Sequence, residues 1–172
     1  MIHLETPLTL TKVRKLRVGD EVLLNGIIYT ARDQAHKRFK EALLNKRKLP
    51  FSFNKQAVYY CAPTPTPPGK IIGSCGPTTS SRMDRFTPLL LKKGLKGMLG
   101  KGRRSEEVIR AIKKYKAIYF VTLGGCGALL STFVKRKELI AYPELGGEAV
   151  YRLDVVDFPA IVAVDCYGKY IW

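Results

Sequence analysis

Four side-chain hydroxyls in a row, followed by an arginine, stand at the centre of the stretch GSCGPTTSSRMD, residues 73–84. Two glycines and a proline precede them, a pattern that reads as a turn entering a helix. Such a junction leaves backbone N–H groups unpaired and brings a positive helix end to the same spot. Thr78, Thr79, Ser80 and Ser81 add hydroxyls that donate or accept, and Arg82 offers a planar fork matched to a carboxylate. The chemistry these residues suit is recognition of a small anion. They equally suit an ordinary helix N-cap with spare hydroxyls.

Three further stretches carry residues of chemical interest. In YTARDQAHKR, Arg32 and Asp33 fall at a strand-to-helix junction, with His36 one turn later. Asp33 and His36 are then neighbours on one helix face, and a carboxylate there would support a protonated imidazole able to move protons. The plainer alternative is a capping aspartate and a surface histidine. GLKGMLGKGRR resembles a phosphate loop but is not one. The first glycine of G-x-x-x-x-G-K-[ST] falls on Leu95, and Gly102 stands where a hydroxyl is required. Lys101, between two glycines, either points into a pocket or is a solvated loop lysine. GGCGALLS is a glycine-rich helix entry, better read as close packing of a helix on a sheet, with Cys126 a small core residue.

The elements that must position these residues follow from pattern. VGD, EVLL, NG and IIYTA predict a hairpin turning at Asn25-Gly26. Asp33 is expected to cap a helix through AHKRFKEALLNK, with Ala35, Phe39 and Leu43 on one stripe. QAVYYCA and KIIGS read as strands flanking the rigid loop TPTPPG. Met83, Phe86 and Leu90 suit a helix from about Ser80, with Pro88 in its early part. SEEVIRAIKKY is an amphipathic helix capped by Ser105, with acidic residues in its first turn. AIYFVTL is a continuous apolar run, the mark of a strand buried on both faces. ELIAYP, AVYRLDV and PAIVAVD predict three more strands. With no repeat and no linker, the expectation is one α/β domain over residues 1–172, with a mixed, partly parallel sheet.

The chain has 172 residues, and 46% are apolar, enough for a real core. No apolar run approaches the roughly 20 residues that span a bilayer. The first residues lack a secretory pattern, so the expected location is the cytoplasm. The cysteines, Cys61, Cys75, Cys126 and Cys166, form no CxxC pair. They read as reduced core thiols, and a metal site made by this chain alone is not expected. Net charge is +16, and all of the excess lies in residues 1–120. That balance points to nucleic acid or to an acidic partner protein. No nucleic-acid-binding motif is recognised, and the best glycine–cation cluster suits a small anion. Scarce Asn and Gln beside abundant Lys hint at a thermophilic source.

Taken together and in order, ARDQAHKR, GSCGPTTSSRMD, LGKG, TLGGCGALLS and ELGGEAVYRLDVVDFPAIVAVD resemble one family along nearly the whole chain. It is the β subunit, or C-terminal half, of the iron–sulfur-dependent class I fumarases and L-tartrate dehydratases. The resemblance implies a swivelling β/β/α domain and reversible hydration of fumarate to L-malate, with dehydration of tartrate the alternative. It implies a [4Fe–4S] cluster held by three cysteines of a partner α subunit, an α2β2 assembly and a shared site. Arg32, Arg82 and Lys101 match the cationic positions that hold the dicarboxylate, with Thr79 beside them in substrate binding. Thr78 matches the threonine considered a catalytic base, and His36 matches the histidine of the RDxxHK pattern. His36 is placed with Thr78 among the catalytic residues, and Asp33 or His36, or else a group of the partner, is the fallback base. Cys75 and Cys126 stand where other small residues are expected.

Overall fold

Apolar runs in the middle of the chain become strands whose alternate side chains enter two different cores. A computed structural model describes residues 1–172. The elements in order are β1 Ile2–Glu5, α1 Leu10–Lys15, β2 Glu21–Thr30, α2 Asp33–Leu44, β3 Ala57–Tyr59, α3 Thr87–Lys92, β4 Gly97–Gly100, α4 Glu106–Tyr115, β5 Ile118–Val121, α5 Gly127–Ser131, β6 Val134–Ala141 and β7 Val150–Val164. Two 3₁₀ turns, Ser80–Met83 and Pro143–Glu148, precede α3 and β7. The seven-stranded sheet has the order β1-β2-β3-β4-β5-β7-β6, and β7 also pairs with β2. That extra pairing closes β2, β3, β4, β5 and β7 into a five-strand, barrel-like ring. β2 to β5 run parallel, and β7 is antiparallel to both neighbours. The expected mixed, partly parallel α/β architecture is the one observed.

The two-residue period of a strand explains the continuous apolar runs. Ala57, Tyr59, Leu99, Ile118 and Phe120 join one buried cluster with Phe158 and Val162. Val58, Met98 and Tyr119, their alternates, join a second cluster under α2, α3 and α4, with Phe39, Leu90 and Ile112. α4 starts as its sequence predicts, the Ser105 hydroxyl accepting from Val108 N–H at 3.3 Å.

Several expected elements come out differently. Asn25-Gly26 is not a hairpin turn; β2 continues through it, with a bulge between Leu24 and Gly26 against β7. Gly26 has φ +106°, and a Cβ there would lie 2.4 Å from Thr6 Oγ1. That Oγ1 instead accepts from Ile27 N–H at 2.6 Å. Asn25 exchanges two hydrogen bonds with Asp157 across the bulge. Asp157, at φ 54°, lets β7 bend without ending, so the two strands expected at AVYRLDV and PAIVAVD are one strand of 15 residues. KIIGS forms no strand, because both edges of β3 are already taken by β2 and β4. The helix expected from Ser80 is a 3₁₀ turn and then α3, with Pro88 near its start.

Candidate functional site

Four parallel strands end at the same side of the ring, and three of them lead directly into stretches singled out by residue type. Arg32 follows β2, Lys101 follows β4, and Gly124–Cys126 follows β5. The segment Thr78–Ser80 slots between the ends of β3 and β4. Thr78 N–H donates to the Tyr60 carbonyl at 2.7 Å, Lys101 N–H to the Thr78 carbonyl at 3.3 Å, and Ser80 N–H to the Lys101 carbonyl at 2.9 Å. Thr79 and Lys101 are thus bridge partners. The carboxyl edge of parallel strands is where open α/β sheets bind ligands, because loops and helix N-termini converge there.

Arg82 reaches this edge through a contact the sequence pattern did not show. Its Nε donates to Asp33 Oδ1 at 3.0 Å and its Nη2 lies 3.0 Å from Oδ2. Asp33 is therefore not the cap of α2. Arg32 occupies that position without a side-chain capping bond, and Asp33 is spent on orienting Arg82. Arg32 Nε lies 3.7 Å from Asp33 Oδ2 and 3.8 Å from Glu148 Oε1, is buried, and has no hydrogen-bond partner. The hydroxyls of Thr78 and Thr79 make no hydrogen bond to the protein. Lys101 is exposed, and Gly102 after it has φ +84°. Arg82 is exposed too, and the larger surface clefts are lined by residues other than Arg32, Thr78, Thr79, Arg82 and Lys101. Glu148 Oε1 also accepts from Gln34 N–H in the first turn of α2 at 3.5 Å. Three cations and two free hydroxyls beside these carboxylates can hold a small anion with more than one carboxylate.

His36 departs from the expected proton-moving pair. It is fully buried, ringed by Phe39, Tyr60 and Phe86. Its Nδ1 lies 2.7 Å from the Arg32 carbonyl oxygen, which only accepts, so Nδ1 carries the proton and Nε2 is left bare. Burial pushes its pKa down to about 4, and the weaker pull of Asp33 does not reverse this. His36 is a neutral prop beneath Arg32. Its folded pKa lies below the unfolded value near 6.5, so the stability it contributes is present above about pH 6.5 and is lost as pH falls toward 4. The loss amounts to about 3 kcal/mol. Denaturant midpoints at pH 7, 5.5 and 4 should therefore fall more steeply for the native protein than for His36→Phe. Parallel curves would show that His36 does not titrate this way.

Beneath the edge lies a buried polar wall that residue spacing did not reveal. Arg104 has a fully buried side chain, donating from Nε to Asp84 Oδ1 at 2.6 Å and from Nη2 to Thr87 Oγ1 at 2.8 Å. Its guanidinium stacks over the rings of Tyr60 and Tyr119. The only signal in the sequence was Asp84 at the end of the hydroxyl stretch. In the sequence Arg104 reads as one more basic residue of a loop.

The cysteines do not compose a ligand set for an iron–sulfur cluster. Cys61, Cys75 and Cys166 are buried and Cys126 is half-buried, and no three metal-ligating side chains converge. Burial pushes the Cys61 thiol well up and the Cys75 thiol up to about 11, whereas metal binding needs thiolates. No helix is long and apolar enough to cross a membrane.

The fold and this edge describe an α/β domain that presents cations and hydroxyls on an open face. The family profile described as Fumarase C-terminus matches residues 1–172, and the chain belongs to that family. It is 40% identical over 171 residues to the putative L(+)-tartrate dehydratase subunit beta of Methanocaldococcus jannaschii, covering 96% of this chain and 88% of that protein. It is 39% identical over 172 residues to the aerobic class I fumarate hydratase of Salmonella typhimurium, covering 98% of this chain and 30% of the relative. To fumarate hydratase 2 of Leishmania major it is 42% identical over 154 residues, covering 88% of this chain and 27% of the relative. The chain thus spans less than a third of these two fumarate hydratases.

Proposed function

We propose that this chain is the β subunit of a heteromeric hydro-lyase that reversibly hydrates fumarate to L-malate, contributing one half of a site completed by a partner. The observation that carries the reading is the buried Arg32 Nε without a hydrogen-bond partner, set beside the Arg82 fork on an open strand edge. A C4 dicarboxylate brings two charges, and Arg32, Arg82 and Lys101 are suited to meet them. Proton removal next to a carboxylate builds further negative charge, which the same cations stabilise. Thr78 carries the proton, Thr79 helps hold substrate, and His36, neutral near pH 7, props Arg32. The [4Fe–4S] cluster belongs to the cluster-bearing α subunit, in a cytoplasmic α2β2 assembly. An acidic α subunit also accounts for the charge of +16.

Anaerobic pull-down from native extract, followed by a hydration assay, tests this. An iron–sulfur partner that co-elutes and consumes fumarate is the expected result. Nucleic acid without iron or activity would overturn it. The relative that matches this chain over most of its own length is named a tartrate dehydratase subunit, which favours L-tartrate as the second reading. Competition between fumarate and L-tartrate on the assembled enzyme decides between them.

A further inference from the structure

Lys101 and the hydroxyl stretch come from different parts of the chain, and two backbone hydrogen bonds alone join them at the strand edge. A third link runs underneath. The Tyr119 hydroxyl lies 2.7 Å from Ser80 Oγ and 2.9 Å from the Gly102 carbonyl. The carbonyl only accepts, so the Tyr119 O–H donates to it while the Tyr119 oxygen accepts from the Ser80 O–H, and each hydroxyl hydrogen is used once. Ser80 follows Thr79 and Gly102 follows Lys101, so the bridge closes a ring around the Thr79–Lys101 pair. Gly100 makes the approach possible: a Cβ there would fall 2.0 Å from Ser80 Oγ. Both Tyr119 and Ser80 are fully buried, so water does not compete for these bonds. Arg104, held by Asp84 and Thr87, stacks 4.8 Å from the Tyr119 ring centre and fixes the plane of the ring.

We propose that Tyr119 is a positioning residue for the hydration reaction, its hydroxyl locking Lys101 and the Thr78–Thr79 pair into one register. The proposal rests on the functional reading above. Burial pushes the Tyr119 pKa up to about 12, so the hydroxyl keeps its proton throughout the neutral range. Tyr119 points toward the helix layer, not toward the open edge, and so acts only through the two backbones it ties.

The test is Tyr119→Phe in the assembled complex, which removes one oxygen from an otherwise unchanged ring. Backbone amide exchange at Ser80 and Lys101 is expected to rise about tenfold. kcat/KM for fumarate is expected to fall roughly 10- to 100-fold, because ångström-scale misplacement of a binding group is that costly. In a Lys101→Ala background the same substitution should cost less than in the native complex, because the share of the loss that runs through the Lys101 side chain is already gone. Ser80→Ala, which cuts the bridge from its other end, should reproduce the change in exchange. Unchanged exchange and native kinetics would overturn the proposal, as would an equal kinetic loss in both backgrounds, which marks a general packing defect. If the native complex hydrates no fumarate and dehydrates no tartrate, the functional reading fails, and the exchange arm alone still decides whether the lock exists.

Discussion

Arg82→Ala in the assembled complex should lower kcat/KM for the dicarboxylate by about 100- to 1000-fold, the range seen when a forked charge partner is removed. The fold should stand. The Arg82 side chain is 51% exposed, and its hydrogen bonds and ion pairs all go to Asp33. The loss is larger than that of one contact because it changes the charge of the whole edge. Asp33, no longer paired with Arg82, would face Arg32 alone across 3.7 Å and compete for its Nε with Glu148, 3.8 Å from the same nitrogen. A dianion would then meet two cations beside Asp33 and Glu148 where it had met three. Arg82→Lys keeps the charge but not the fork, so it should recover only part of the loss. Kinetics of the native protein in Arg82→Ala would remove Arg82 from the site.

Residue type and order were enough to read the helices α2 and α4 and the doubly buried β5. Each of these is decided by local chemistry: a capping serine, a 3.6-residue stripe, an unbroken apolar run. What was not legible depends on partners distant in sequence. Asn25-Gly26 has strong turn chemistry, but Thr6 and Asp157 claim it for a bulge. KIIGS has strand composition, but both sides of β3 are taken by β2 and β4 and it pairs with no strand. Asp33 looked like a cap because caps are local, whereas Arg82, its true partner, lies 49 positions on. His36 is the sharpest case. Its neighbour in sequence argues for a charged ring, and the aromatic walls supplied by Tyr60 and Phe86 make it neutral. Arg104 and Tyr119 carried no visible motif, since a buried arginine and a surface one read alike in a sequence.

Removal of the Thr78 hydroxyl should act on turnover rather than on binding. The backbone of Thr78 is pinned on both sides, by the Tyr60 carbonyl and by Lys101 N–H, so its side chain has a fixed origin. The hydroxyl itself is committed to no protein partner and lies at the strand edge, where the Thr78 backbone bonds that of Lys101. A threonine hydroxyl is a poor base in water, but cations that stabilise its deprotonated form lower its pKa. A positioned proton carrier contributes roughly 100- to 10,000-fold to a rate, so Thr78→Ala should lower kcat by about a thousandfold, with KM changed by no more than about threefold. Thr78→Ser keeps the oxygen and loses only a methyl group. It should retain activity within about tenfold of the native enzyme, because the pinned backbone leaves the hydroxyl near its place. The pair of variants separates proton transfer from packing. Equal losses in serine and alanine would assign the effect to the methyl group, and the base would then have to come from Asp33 or from the partner. A rise in KM with kcat unchanged would make Thr78 a binding group like Thr79.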